Sequence, residues 1–126
     1  MPYSDSTPAG RAVQGIIADL PGLIAVAVVD TDTGMNMASH SNSEQLNPDL
    51  AAAYNTQVVK LNLKAVNTLN LNCGQLEDIL VTVSEQYHVI KLLNEGAMFL
   101  YLAVNSLDTN LAIAREVMRQ HAVGIR

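Results

Sequence analysis

The residues that could carry catalysis or bind a metal are few and widely spaced in this chain. His40, His88 and His121 fall on three different predicted elements, and none has a second histidine or a cysteine at metal-ligand spacing. Cys73, the only cysteine, falls in a predicted glycine-containing turn with no evident partner to activate its thiol. This pattern favours histidines at the surface or its rim and a structural or incidental thiol.

One further run of residues resembles a functional motif. Asp30 to Gly34 reads D-T-D-T-G, like the start of a calcium loop, but Met35 and Ser41 stand where that loop needs glycine and glutamate. A turn is therefore the better interpretation. No nucleophile elbow, zinc-protease motif, phosphate loop or dinucleotide fingerprint occurs. We expect no catalytic residue, no metal and no cofactor, although a triad assembled from distant residues would leave no local motif.

The composition describes a folded domain with unusually few charges to cover its surface. Of 126 residues, 49% are hydrophobic and 15% charged, which predicts one domain over residues 1–126 with residues 1–6 flexible. Apolar area left outside usually marks an interface. The net charge is −5 and the seven basic residues form no run, which argues against nucleic acid and an anionic membrane surface as partners. The single cysteine and the absence of an apolar leader predict a cytoplasmic protein.

Turn and cap signals divide the chain into helix, two strands, helix, three strands and helix. Threonine or asparagine followed by proline marks two helix starts, and glycine-containing turns separate the strands. The predicted boundaries are a helix from Pro8 to Leu20, strands at Leu23–Val29 and Met35–Ser39, a long helix from Pro48 to about Asn70, strands at Leu76–Ser84, Tyr87–Leu93 and Ala97–Val104, and a last helix capped by Asp108 or Thr109. This order predicts an α/β fold of the layered α+β type, with a five-stranded antiparallel sheet.

The apolar content of the strands predicts their order in the sheet. Leu23–Val29 and Ala97–Val104 are apolar throughout, which is typical of central strands. Leu76–Ser84 carries polar residues and belongs nearer an edge, where unpaired N–H and C=O groups are a liability. Pairing with the same strand of a second copy would remove that liability.

The long helix carries two apolar stripes. At about 100° per residue, Tyr54, Val58, Leu61, Ala65 and Leu69 share one stripe, and a second lies roughly 130° away. We expect one stripe to cover the sheet and the second to meet a partner; the alternative is a helix buried deep in the monomer. The predicted dimer interface comprises the second stripe and three residues of the edge strand: Ala52, Val59, Leu63, Val66, Ile79, Val81 and Val83.

Two segments resemble a known family. Gly15 to Gly34 places a helix end at P-G, an apolar strand and a D-x-D-x-G turn in succession. Met98 begins M-F-L-Y-L-A-V, and Thr109 to Arg115 reads T-N-L-A-I-A-R. With the order of elements, these patterns resemble the Roadblock / dynein light chain family over nearly the whole chain, in its stand-alone bacterial form, although profilin-like and sensor folds share them.

The resemblance implies a homodimer with a sheet continued across both subunits, associated with a Ras-like small GTPase or a motor complex. Some bacterial members act as GTPase-activating partners. Arg115 and Arg119 could act as arginine fingers, although arginines near a helix C-terminus are more often solvated. Two alternatives stay open: an interaction module without effect on nucleotide turnover, and a small-molecule sensor, whose sign would be a polar cluster on an apolar sheet face.

Overall fold

Three helices and five strands follow one another in the predicted order. The structure, a computed structural model, describes residues 3–69 and 74–125. The elements are α1 (Pro8–Asp19), β1 (Leu23–Asp30), β2 (Asn36–Ser41), α2 (Pro48–Thr68), β3 (Asp78–Val83), β4 (Gln86–Leu93), β5 (Met98–Asn105) and α3 (Leu111–Ala122), with a short 3₁₀ turn at Asn94–Gly96. The predicted helix end at Asn70 and the predicted turn at Asn72 and Cys73, with its thiol, lie outside the described residues. None of the described helices is long and apolar enough to cross a membrane.

Side-chain caps fix where the helices begin. The Thr7 hydroxyl accepts a hydrogen bond from the Gly10 N–H at 3.0 Å, and the Asn47 carboxamide accepts from two N–H groups of the first turn of α2. In both cases proline follows the cap, where its missing N–H costs nothing. The prediction for α3 is wrong, because Asn110 is the cap and accepts from the Ile113 N–H at 2.8 Å. The Thr109 hydroxyl instead donates a hydrogen bond to the backbone carbonyl of Pro21.

The sheet has the order β2-β1-β5-β4-β3, with every neighbouring pair antiparallel. The two all-apolar strands, β1 and β5, lie side by side inside it, as their composition predicts. β3 forms one edge, as predicted, and β2 forms the other. The outer backbone groups of both edge strands therefore have no partner strand among the described residues.

Side chains alternate between two cores, one on each face of the sheet. On one face, α1 and α3 pack over alternate residues of the central strands, including Val26, Val28, Leu100 and Leu102. α2 alone packs over the opposite residues, including Ala25, Ala27, Phe99 and Tyr101. Tyr3 is partly buried and packs at the margin of the α1/α3 core. The flexibility of residues 1–6 stays a prediction.

The turn between β1 and β2 positions α2 against the sheet. Gly34 has a φ of +73°, its N–H bonds the Asp30 carbonyl at 2.8 Å, and its Cα lies near the Thr56 side chain. The Lys60 ammonium donates to the Asp32 carbonyl at 3.1 Å. The D-x-D-x-G run is therefore a turn, as predicted, and it rests against the helix that the candidate surface depends on.

Candidate interaction surface

Helix α2 has two apolar stripes, but the sequence-based assignment of those stripes is wrong. Ala52 and Val59, predicted to face a partner, have no exposed surface and pack against the sheet of their own chain. The hydroxyl of Thr56, between them on the same face, is buried and donates to the Ala52 carbonyl at 2.7 Å. The stripe that the sequence assigned to a partner is the one that covers the sheet.

The other stripe, which we call the outer stripe, consists of Tyr54, Val58, Leu61, Ala65 and Leu69. Tyr54 is 69% exposed, Leu61 is 67% exposed and Leu69 is 66% exposed. Its members recur every three or four residues, the spacing at which one helix packs along another. A shallow depression of about 310 Å³ on this side of the helix is lined by Leu61, Lys64, Ala65, Thr68 and Leu69.

The reversal has a physical reason. Periodicity measures the angle between two stripes but does not say which of them meets the sheet. Small Ala52 and β-branched Val59 let the helix approach the pleated surface closely, while the larger Tyr54 and Leu61 stand on the opposite side. Both stripes mix small and large side chains, as Ala65 and Leu63 show, so the sequence alone does not separate them.

Leu63 and Val66, the other two helix residues of the predicted interface, lie on the side of α2 that faces its own chain. Leu63 packs at the margin of the core between α2 and the sheet. Together with Val66 it lines a cavity of about 420 Å³ between the end of α2, the segment 74–77 before β3 and the end of β4, whose wall also includes Glu77, Leu92 and Gly96. Neither residue belongs to the outer stripe, but both are half-buried, and their role in an interface stays a prediction.

The predicted interface residues of β3 divide between core and surface. Ile79 packs at the margin of the core under α2. Val81 and Val83 follow it at alternate positions on the same face and are 43% and 49% exposed. Because no described strand pairs with the outer side of β3, its backbone groups and these two valines are both open to a partner. Their role in an interface stays a prediction.

A polar cluster that the sequence analysis missed lies beside these valines. His88 Nδ1 is 2.8 Å from the Tyr101 hydroxyl, and His88 Nε2 is 2.9 Å from Gln86 Oε1. Burial lowers the pKa of His88 and raises the pKa of Tyr101 to about 12. The alternation of Gln86 and His88 on one strand was visible in the sequence, but Tyr101 joins them only through the register of β4 with β5.

This cluster is the feature that the sequence analysis named as the sign of a sensor domain. Its ring nitrogens, however, are bonded within the cluster. No described cavity is lined by these residues. The observation therefore gives no support to a small-molecule site at this position.

The remaining sequence candidates are scattered. Arg115 pairs with Asp78 at 3.2 Å, and Arg119 pairs with Glu116 one turn earlier on α3. His121 Nε2 contacts the Asp19 carboxylate at 2.7 Å and links α3 to α1. Within residues 3–69 and 74–125, no group of three or more His, Cys, Asp or Glu side chains is arranged to hold a metal ion. The structure brings none of the three histidines together.

The sequence matches no protein-family model and no curated protein. A Roadblock/LC7 domain from Streptomyces avermitilis superposes with a TM-score of 0.75 at 12% identity, covering 90% of this chain and 90% of that one. Myxococcus xanthus MglB gives 0.73 at 10% identity, covering 93% and 80%. A structure described as MglB with tetrameric arrangement gives 0.72 at 13% identity, covering 91% and 85%.

These likenesses define the fold. Three helices around a five-stranded antiparallel sheet, in the order found here, form the Roadblock/LC7 fold, and the chain has that fold over about nine-tenths of its length. The fold expected from the P-G turn, the D-x-D-x-G turn and the last strand and helix is confirmed.

The two stripes of α2 predict opposite responses to the same substitution. Val59→Asp should leave the chain unfolded, because an unpaired buried carboxylate costs several kcal/mol against a total stability of about 5–15 kcal/mol. Leu61→Asp, two residues away, should keep the native far-UV circular dichroism spectrum, since its side chain is already in water. If Leu61→Asp also unfolds, the outer stripe is part of the monomer's own core.

Proposed function

We propose that the chain is a homodimeric, non-catalytic regulator or scaffold that binds a Ras-like small GTPase in the cytoplasm. The observation that carries the proposal is the outer stripe of α2 together with the open edge of β3, two uncovered surfaces beside the same face of the sheet. The Roadblock/LC7 fold supports the proposed GTPase partner, because the resemblance to that family implies association with small GTPases.

The face under α2 is too wide for one helix. Four spacings between five strands, at about 4.8 Å each, make a sheet roughly 20 Å across, whereas a helix with its side chains is about 10–12 Å wide. α2 packs mainly over β1 and β2. On β3, Ile79 packs at the margin of the core under α2, whereas Val81 and Val83 stay exposed.

A second copy of the chain could cover the exposed part of this sheet face. A two-fold axis beside β3 would pair the two open edges, bring the second α2 over the same continuous surface and let the outer stripes meet. Each large apolar side chain that leaves water contributes about 1.5–3 kcal/mol. A single two-fold axis would thus cover the free edge, the exposed valines and the outer stripe together. A second copy is therefore favoured over an unrelated partner.

The support for a GTPase partner is of a different kind. It rests on the Roadblock/LC7 fold and on the residues that resemble the family, because no residue set in the described part of the chain marks a nucleotide or GTPase site. The solved MglB described as having a tetrameric arrangement shows that one protein of this fold self-associates. A dimer would also offer a partner two copies of each surface, which suits a scaffold.

Solution mass tests the homodimer. The native chain should have a mass of about 27 kDa by light scattering at micromolar concentration, twice the 13.5 kDa of one chain. Leu61→Asp should raise the dimer dissociation constant about a hundredfold or more, because two carboxylates enter one apolar contact. Leu107→Asp, which changes an equally exposed leucine outside the surface, is the matched control and should leave the mass unchanged. A native monomer at these concentrations would overturn the dimer.

Nucleotide-dependent binding tests the partner. The immobilised chain should retain a small GTPase from an extract of its source in one nucleotide state in preference to the other, when the extract is loaded with GDP or with a non-hydrolysable GTP analogue. The purified GTPase is then assayed for hydrolysis with and without the chain. A faster rate identifies an activator, and an unchanged rate identifies a scaffold. Retention of no GTPase in either state would contradict the proposal.

A further inference from the structure

A hydrogen-bonded histidine lies within one strand spacing of the proposed interface. His88 stands directly opposite Val81 in the register of β3 with β4, and Gln86 stands opposite Val83. Cross-strand pairs of this kind hold their Cβ atoms about 4.5–5.5 Å apart. Whatever covers the two exposed valines must therefore also remove water from beside His88, which is partly buried in the single chain.

The bonding pattern of the cluster matches a neutral imidazole. With the Gln86 carboxamide in this orientation, its Oε1 accepts a hydrogen bond from His88 Nε2–H. In the neutral ring Nδ1 is then a lone-pair acceptor, and the Tyr101 hydroxyl donates to it. Tyr101 is almost fully buried, so its hydroxyl hydrogen needs this acceptor.

Protonation of the ring breaks that pattern. An imidazolium has two N–H donors and no acceptor, so Nδ1 could only donate to the Tyr101 oxygen. The hydroxyl hydrogen would then have to find another acceptor, and no other hydrogen bond of the Tyr101 side chain occurs among the described residues. The cation on His88 would also lie at a surface that the dimer closes off from water.

We propose that the Gln86–His88–Tyr101 cluster makes self-association sensitive to pH, so that protonation of His88 separates the two copies. The inference rests on the proposed homodimer and assigns a regulation to that interface. The cross-strand pairing of His88 with Val81 and of Gln86 with Val83 carries it, because a partner that covers the two valines also covers His88.

The surroundings of His88 contain no counter-ion to hold a charge in place. From β5 the facing titratable group is Tyr101, and from its own strand the facing group is the uncharged Gln86. β3 presents Val81 opposite the ring, and no hydrogen bond or ion pair joins His88 to a described residue of α2. Burial is accordingly the cause of its lowered pKa.

The sign of the pH effect follows from this environment. Burial at the interface lowers the His88 pKa further, so the dimer binds fewer protons than two separate chains. Dimer stability is then fully present at a pH above the His88 pKa of the free chain. It is lost as the pH falls through that value, with two protons taken up for each dimer that dissociates.

Sedimentation velocity at several protein concentrations, at pH 7.5 and at pH 5.5, tests the inference. The dimer dissociation constant of the native chain should be higher at the lower pH, since each of two histidines contributes up to about tenfold per pH unit below its pKa. His88→Gln should remove most of this rise. His40→Gln and His121→Gln, whose rings bond Asn42 and Asp19 instead, should keep it.

Tyr101→Phe provides a second test that keeps an aromatic ring in the core. Because the Tyr101 hydroxyl is already buried in the single chain, this variant should still dimerise and should keep a rise that depends on His88. Circular dichroism at each pH confirms that every variant is folded. A native dimer whose dissociation constant is the same at both pH values, or whose rise survives His88→Gln, overturns the pH switch and leaves the dimer standing. A native monomer at both pH values overturns both.

Discussion

The architecture depends on one mismatch of size: a five-stranded sheet has two faces to cover, and only three helices are available. α1 and α3 share one face, while α2 is alone on the other and packs mainly over β1 and β2. A single helix is about half as wide as the sheet beneath it. The exposed valines of β3, the open edge and the outer stripe of α2 all follow from that shortage.

The low charge of the chain has the same origin. A small domain normally covers its surface with charged side chains, but only 15% of these residues are charged. Several exposed apolar residues lie on α2 or at its end, including Tyr54, Leu61 and Leu69, and others lie on β3. Exposed apolar surface of this kind usually marks an interface, and we propose that a second copy covers it.

The parts of the fold that could be read from the sequence are those with local causes. Thr7 and Asn47, each followed by proline, define two helix starts through bonds to the next few residues. The cap of α3 could not be read in this way. Asp108, Thr109 and Asn110 are all suitable caps, and the choice depends on a contact between Thr109 and Pro21, far apart in the sequence.

Less of the candidate surface could be predicted from the sequence, because it depends on contacts between residues that are far apart in the chain. The two stripes of α2 and the edge position of β3 were predictable from periodicity and polarity, whereas the direction of each stripe required the sheet itself. The cluster of His88 and Tyr101 required the register of two strands, because the residues are neighbours in space and 13 positions apart in the chain. Interactions that depend on register leave no pattern in a single sequence.

Hydrogen exchange at the two edges of the sheet tests the central claim most directly, because one edge should be covered and the other free. In the native chain, amides of β3 should exchange more slowly than in Leu61→Asp, while amides of β2 should exchange at the same rate in both proteins. That result would show that the outer stripe and the β3 edge are covered in one association. Equal exchange of β3 in the two proteins, at concentrations where the native chain is a dimer, would contradict the account.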